Sequence, residues 1–168
     1  MKKNSALLRG FEVRRVREED VSVLVSLIRE LAEYEHLADQ ATAGESEIRE
    51  ALFGPKPAAE ALLGFVGDIP VAFAVFFHNF STFVGRSGLY LEDLYVKPSF
   101  RGAGIGNAML VHLAQIAVER GCGRFEWMVL DWNEPAIVFY KKLGAVPLDG
   151  WTTFRLTGES LIRLAGGG

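Results

Sequence analysis

The run Arg101-Gly102-Ala103-Gly104-Ile105-Gly106 joins strand-forming residues to helix-forming ones, and such a junction can bind an anion. Glycines let the backbone approach a ligand closely and take unusual φ, while the N–H groups of a helix's first turn have no intrahelical partner. Arg101 adds a cation beside them. Glycine-rich junctions also arise for tight packing alone, and the motif by itself leaves both readings open. A P-loop is excluded because Asn107-Ala108 follow Gly106 where Lys-Ser/Thr should stand. A dinucleotide fingerprint needs a glycine at Asn107 and an opening βαβ unit, and this chain has neither. Cys122 is the only cysteine, so no disulfide can form within the chain, and it reads as a small apolar residue near a helix end. His36, His78 and His112 show no metal-ligand spacing, and no metal is expected.

The elements that must position this junction follow from periodicity. Phe11 to Val16 reads as a strand. From Asp20, an expected N-cap, Val21, Leu24, Val25, Ile28, Leu31 and Ala32 recur at helical spacing. A short helix is expected over Ser46 to Phe53, before Gly54-Pro55. Ala61 to Val66 and Pro70 to Phe77 flank Gly67-Asp68 and suggest a hairpin. A polar loop, His78 to Gly88, leads to a strand over Leu89 to Val96. The helix after the glycines runs to about Arg120, with Ile105, Met109, Leu113 and Ile116 as its apolar stripe and Gly121 as its stop. Arg124 to Leu130 is the next strand. Pro135 opens a helix ending near Leu143, with Gly144 just beyond. Trp151 to Leu156 is expected as a last strand and Glu159 to Ala165 as a last short helix. Arg14, Arg15 and Arg17 fall on or beside an edge strand and are expected to be solvated.

Length and composition bound the rest. The chain has 168 residues, 49% apolar and 23% charged, which suits one soluble domain able to fold unaided. A net charge of −3 carries no general basic footprint, so no nucleic-acid partner is expected. The apolar run near the basic N-terminus is too short for a signal segment, and no stretch approaches the roughly 20 apolar residues of a membrane span. A cytoplasmic location is expected, with residues 1–10 as a flexible extension of a single domain over 1–168.

Arg101, Gly104 and Gly106 satisfy the pattern Gln/Arg-x-x-Gly-x-Gly/Ala, and the segment Asp131-Trp132-Asn133-Glu134-Pro135-Ala136-Ile137-Val138-Phe139-Tyr140 forms a second signature. Together they resemble the GNAT superfamily of N-acetyltransferases. Tyr90-Leu91-Glu92-Asp93, Leu27 to Glu35 and Gly150-Trp151 tighten the resemblance to the diamine (spermidine/spermine) acetyltransferases. The tail Trp151 to Gly158 looks more like the branch acting on thialysine, ornithine or short diamines. The resemblance spans roughly residues 11 to 165. It implies an α/β fold with a strongly twisted mixed sheet, splayed near Leu94–Val96 and Trp127–Val129, and helices on both faces. It also implies a homodimer.

What the resemblance implies for chemistry can be set out residue by residue. Acetyl-CoA would be the cosubstrate, bound by Leu94, Tyr95 and Val96, by Arg101, Gly102, Ala103, Gly104, Ile105, Gly106 and Asn107, and by Asn133, Ala136, Tyr140 and Lys142. An alkyl ammonium, with a pKa near about 10.4, must lose a proton before it can attack a thioester. Glu92 is the implied base, acting through a water, and Tyr140 the implied acid for the departing thiolate. Direct attack in a ternary complex is simpler than an acyl-enzyme. On an ideal strand Asp93 alternates to the other face and is not expected to share the base's role. Tyr34, Glu35, Glu92, Asp149 and Trp151 map to a pocket for a small cationic amine, since carboxylates and aromatic faces both attract ammonium groups. Two other readings remain: acetylation of a protein amino group, and a regulatory CoA-binding module without turnover. Glu92 and Tyr140 argue against the module.

Overall fold

The computed structural model describes residues 8–167. The expected flexible extension falls largely on residues 1–7, outside the described residues. The described chain divides into two compact units after Met128.

In the first unit β1 (Phe11–Arg15), β2 (Glu60–Val66), β3 (Ile69–Ser81), β4 (Arg86–Val96) and β5 (Phe125–Trp127) form one sheet in the order β1-β2-β3-β4-β5. The first four pair antiparallel in sequence, β2 with β3 and β3 with β4 through tight turns, whereas β5 runs parallel to β4. That parallel step needs a crossover, which α3 (Ile105–Glu119) supplies. Two further helices, α1 (Val21–Tyr34) and α2 (Glu45–Phe53), lie between β1 and β2.

The core fills both faces of the sheet. Leu24, Leu27 and Leu31 of α1 pack with Leu63, Phe73 and Tyr95 on one face. Successive strand residues point to opposite faces, so Phe76 belongs to the other one. There Arg120, at the end of α3, lies over the Phe76 ring, 5.9 Å from its centroid. Ile105, Met109 and Leu113, the expected stripe of α3, are all buried.

Three expectations need correction. The stretch His78 to Gly88 is not a loop: β3 and β4 extend through it as paired strands, with His78 opposite Leu89 and Ser81 opposite Arg86. Cross-strand pairing satisfies these polar residues' backbone groups, so composition alone misread the segment. Asp20 does precede α1, yet its carboxylate accepts Arg17 N–H and both terminal nitrogens of Arg14, so it makes no cap bond to the helix. Arg14 and Arg15 are therefore ion-paired rather than simply solvated, Arg15 with Glu60 at 2.7 Å.

The second unit, Val129 onward, holds α4 (Glu134–Lys142) and α5 (Gly158–Ala165). Trp151 to Leu156 forms no strand. Trp, Thr and Phe favour strands only where a neighbour offers a ladder to pair with, and here propensity finds none. The strand expected over Arg124 to Leu130 is likewise confined to Phe125–Trp127.

Candidate active site

The geometry of β4 sets the site. Val75 pairs with Asp93 but the next residue, Phe76, pairs with Leu91, so Glu92 is the extra residue of a β-bulge. The bulge restarts the alternation. Leu91 faces with Phe76 toward α3, whereas Asp93 faces with Val75 and Phe73 toward α1. The bulge thus breaks the ideal alternation behind the expectation that Asp93 does not share the base's role, and it sets Asp93 on the α1 face, where the charge of Glu35 reaches it.

Helix α1 ends where this acidic pair begins. Leu37 N–H donates to Ala32 O at 2.8 Å and His36 N–H to Glu33 O at 3.2 Å, closing the helix with His36 in the left-handed region at φ 61°. This ending fixes Glu35. Its carboxyl is pushed above the usual range by burial. Asp93 is pushed further, up to about 6, by burial first and then by the charges of Glu92 and Glu35. Asp93 therefore feels the charges of Glu92 and Glu35 where α1 ends beside the bulge of β4, an arrangement that favours a bound cation.

The raised Asp93 has a stability consequence. Below pH 3.8 its carboxyl is neutral folded or unfolded, and it costs nothing. As pH rises through about 6 the folded protein must ionise it against burial and two like charges, so stability falls across that window and stays lower above it. Asp93→Asn is expected to stabilise the protein at pH 8 by up to about 3 kcal/mol, roughly two pKa units at 1.36 kcal/mol each. The gain should vanish near pH 4. Urea unfolding of both proteins across pH 4 to 8 measures it, and a gain independent of pH would refute the shift.

Beyond Leu91, opposite Trp127, β4 has no partner in β5 and runs on to Val96. Lys97 N–H donates to Val71 O at 2.9 Å, toward β3. By alternation the backbone groups of Val96 and Leu94 point the other way, to the open side. The β4–β5 pairing thus ends short of Leu94–Val96, where the splay is expected from sequence. The backbone groups of Leu94 and the N–H of Val96 can meet an extended amide-bearing arm there.

The glycine-rich loop follows. A short 3-10 turn over Pro98–Phe100 leads to Gly102 at φ 73° and Gly104 at φ 91°, conformations that exclude ordinary side chains. Gly104 is the N-cap of α3, with no side chain capping it. Among the described residues, a Cβ at Gly106 would meet only Val96 Cγ2, at 3.8 Å. The chemistry of the loop fits a phosphate group, with the N–H donors and positive end of a helix's first turn beside glycines that carry no side chain. Arg101 is turned elsewhere. Its Nε donates to Val96 O at 2.8 Å and its guanidinium lies over the Tyr34 ring, 4.1 Å from the centroid.

The remaining expected site residues lie in the second unit. Asn133 caps α4, its side-chain oxygen accepting Ala136 N–H at 3.4 Å. Tyr140 is half-buried beside Phe139, ring centroids 5.4 Å apart. Its backbone oxygen accepts Ala145 N–H as Gly144, at φ 88°, ends the helix where expected. Lys142 is exposed in the last turn. Asp149 and Trp151 are exposed in a stretch without helix or strand. The structure thus brings Tyr34, Glu35 and Glu92 into one unit with the loop and adds Asp93 to them. Among the described residues no His/Cys/Asp/Glu group has the arrangement of a metal site.

A parallel β4–β5 pair, joined through a helix that starts on a glycine-rich loop, belongs to the fold class of acyl-CoA transferases. The match of residues 26–145 to the acetyltransferase (GNAT) family is in keeping with it, and the chain belongs to that family. It is an acetyltransferase, and acetyl-CoA is the family's cosubstrate. Thialysine N-epsilon-acetyltransferase of Sus scrofa is 39% identical over 165 residues, covering 92% of this chain and 96% of that protein. L-ornithine N5-acetyltransferase of Arabidopsis thaliana is 41% identical over 97 residues, 57% of this chain and 42% of that protein. Among solved structures, an integron cassette protein from the mobile metagenome of V. cholerae superposes with a TM-score of 0.79 at 30% identity, covering 93% and 98% of the two chains.

Proposed function

We propose that the chain transfers acetyl from acetyl-CoA to a primary amine of a small di- or polyamine or a basic amino acid of the thialysine or ornithine kind. The observation that carries this reading is the convergence of Glu35, Glu92 and Asp93 where α1 ends beside the bulge of β4; there burial first, and the two neighbouring charges next, raise the Asp93 carboxyl to about 6. The names of the relatives from Sus scrofa and Arabidopsis thaliana point to the same acceptor class.

The loop Gly102–Asn107 holds the cofactor's phosphates on its backbone, with Lys142 adding charge. Leu94 and Val96 take the pantetheine arm, helped by Asn133. When bound, acetyl-CoA supplies an activated acetyl group on sulfur. Glu92, through a water, takes the proton from the incoming ammonium, and the freed amine forms a C–N bond as the C–S bond breaks. Tyr140 donates its proton to the departing sulfur, and the second proton that the nitrogen loses as the amide forms returns the tyrosine to its neutral state. Glu35 and Asp93 hold the acceptor's second ammonium, with Tyr34 beside Glu35 in sequence, and the family resemblance adds Asp149 and Trp151 to the acceptor's contacts. The whole chain acts as one acetyltransferase domain, as a cytoplasmic homodimer, with neither nucleic acid nor membrane as partner. Among the described residues no helix is long and apolar enough to cross a membrane.

Release of free CoA thiol, followed across diamines, polyamines, thialysine, lysine, ornithine and peptides, tests the acceptor class. Small basic amines should turn over and peptides should not. Faster turnover of peptides would replace this reading with protein acetylation.

A further inference from the structure

Arg101 stands between two parts of the first unit that the chain keeps far apart. On one side it begins the glycine-rich loop, and its Nε holds the carbonyl of Val96 on the open side of β4. On the other its guanidinium lies over Tyr34, 4.1 Å from the ring centroid, and 5.6 Å from that of Tyr95. Tyr34 is the last residue of α1 and directly precedes Glu35. The same helix is tied to the end of β4 a second time: Glu30 accepts Tyr95 Oη–H at 3.2 Å and pairs with Lys97 at 3.0 Å.

A planar guanidinium can donate along its edge and stack on its face at once, which an ammonium cannot do. That geometry explains why the cation of the loop is spent on a carbonyl and a ring rather than left at the helix start. We propose that Arg101 is a positioning residue that couples the cofactor loop to the amine-binding end of α1, so that a change at either end is felt at the other. The inference rests on the loop taking the cofactor's phosphates. Coupling of this kind is reciprocal: whatever seats Tyr34 over Arg101 also favours the binding form of the loop.

The test is calorimetric binding of CoA to the full chain, without amine, for wild type, Tyr34→Leu, Tyr34→Phe, Arg101→Gln and the Tyr34→Leu/Arg101→Gln pair. Tyr34→Leu should weaken CoA about 3–5-fold, the worth of an exposed cation–π contact, although Tyr34 lies in α1. Tyr34→Phe keeps a ring under the guanidinium and should bind as wild type. Arg101→Gln should weaken CoA at least as much, and adding Tyr34→Leu to it should change little, because the link is already broken. Wild-type affinity in Tyr34→Leu, or its full effect persisting without Arg101, overturns the proposal. Should Tyr34→Leu not fold, Arg101→Lys decides: a role by charge alone keeps CoA affinity, whereas the link predicts its loss. A wild-type protein that binds no CoA would refute the phosphate assignment itself, and the coupling with it.

Discussion

Tyr140→Phe is expected to lower kcat by about 10²–10⁴, the usual worth of a positioned acid or base. The substitution deletes one hydroxyl and keeps the ring that packs beside Phe139. It also keeps the backbone carbonyl that receives Ala145 N–H at the end of α4. Charge builds on sulfur only as the C–S bond breaks, so the lost contact belongs to the transition state, and KM for acetyl-CoA should move little. If chemistry limits turnover, an acetyl thioester of a more acidic thiol should lose less on mutation, since it departs with less help. A folded Tyr140→Phe protein with near-normal kcat would show that the tyrosine only packs.

The second large effect concerns the loop. Gly104 is an unsuitable place to add charge, because it sits at φ 91° and a Cβ there would lie 2.9 Å from Leu8 Cδ1. Gly106 is better. It lies in the first turn of α3, its φ is not in the left-handed region, and among the described residues a Cβ would meet only Val96, at 3.8 Å. A carboxylate in a helix's first turn is mildly favourable, by about 0.3–1 kcal/mol. Gly106→Asp should therefore fold normally and yet place a negative charge where phosphate must bind. Like charges about 4 Å apart near a surface repel by about 4 kcal/mol, so CoA affinity should fall by about 100-fold or more. Titration calorimetry beside thermal unfolding separates the two effects. Unchanged affinity would remove the loop from the cofactor site.

Most of the first unit's architecture was legible in the residues. The apolar stripes of α1 and α3, the glycine at Gly104 and the turn at Gly67-Asp68 each carry a local physical signature, and each element formed. What was not legible depended on partners far away in sequence. The bulge at Glu92 is set by how β4 registers on β3, and nothing in Tyr90-Leu91-Glu92-Asp93 announces it. Adjacency of two acids was the only hint of Asp93. The extension of β3 and β4 past His78 likewise comes from pairing, which lets residues as unlike as Asn79 and Gly88 stand opposite each other. Trp151 to Leu156 shows the converse: strand-favouring residues without a strand.

The account turns on a pocket built for two positive charges, and one ratio tests it most directly. It is kcat/KM for a terminal diamine divided by kcat/KM for the monoamine of the same chain length, measured at low salt. The carboxylates Glu35 and Asp93 should hold the second ammonium, so wild type should favour the diamine by about tenfold or more, the effect of about 1.4 kcal/mol. The preference should shrink with added salt as screening shortens the reach of exposed charge, and it should collapse in a Glu35→Gln/Asp93→Asn protein. A ratio near one in the wild-type enzyme, equal before and after those substitutions, would contradict the account.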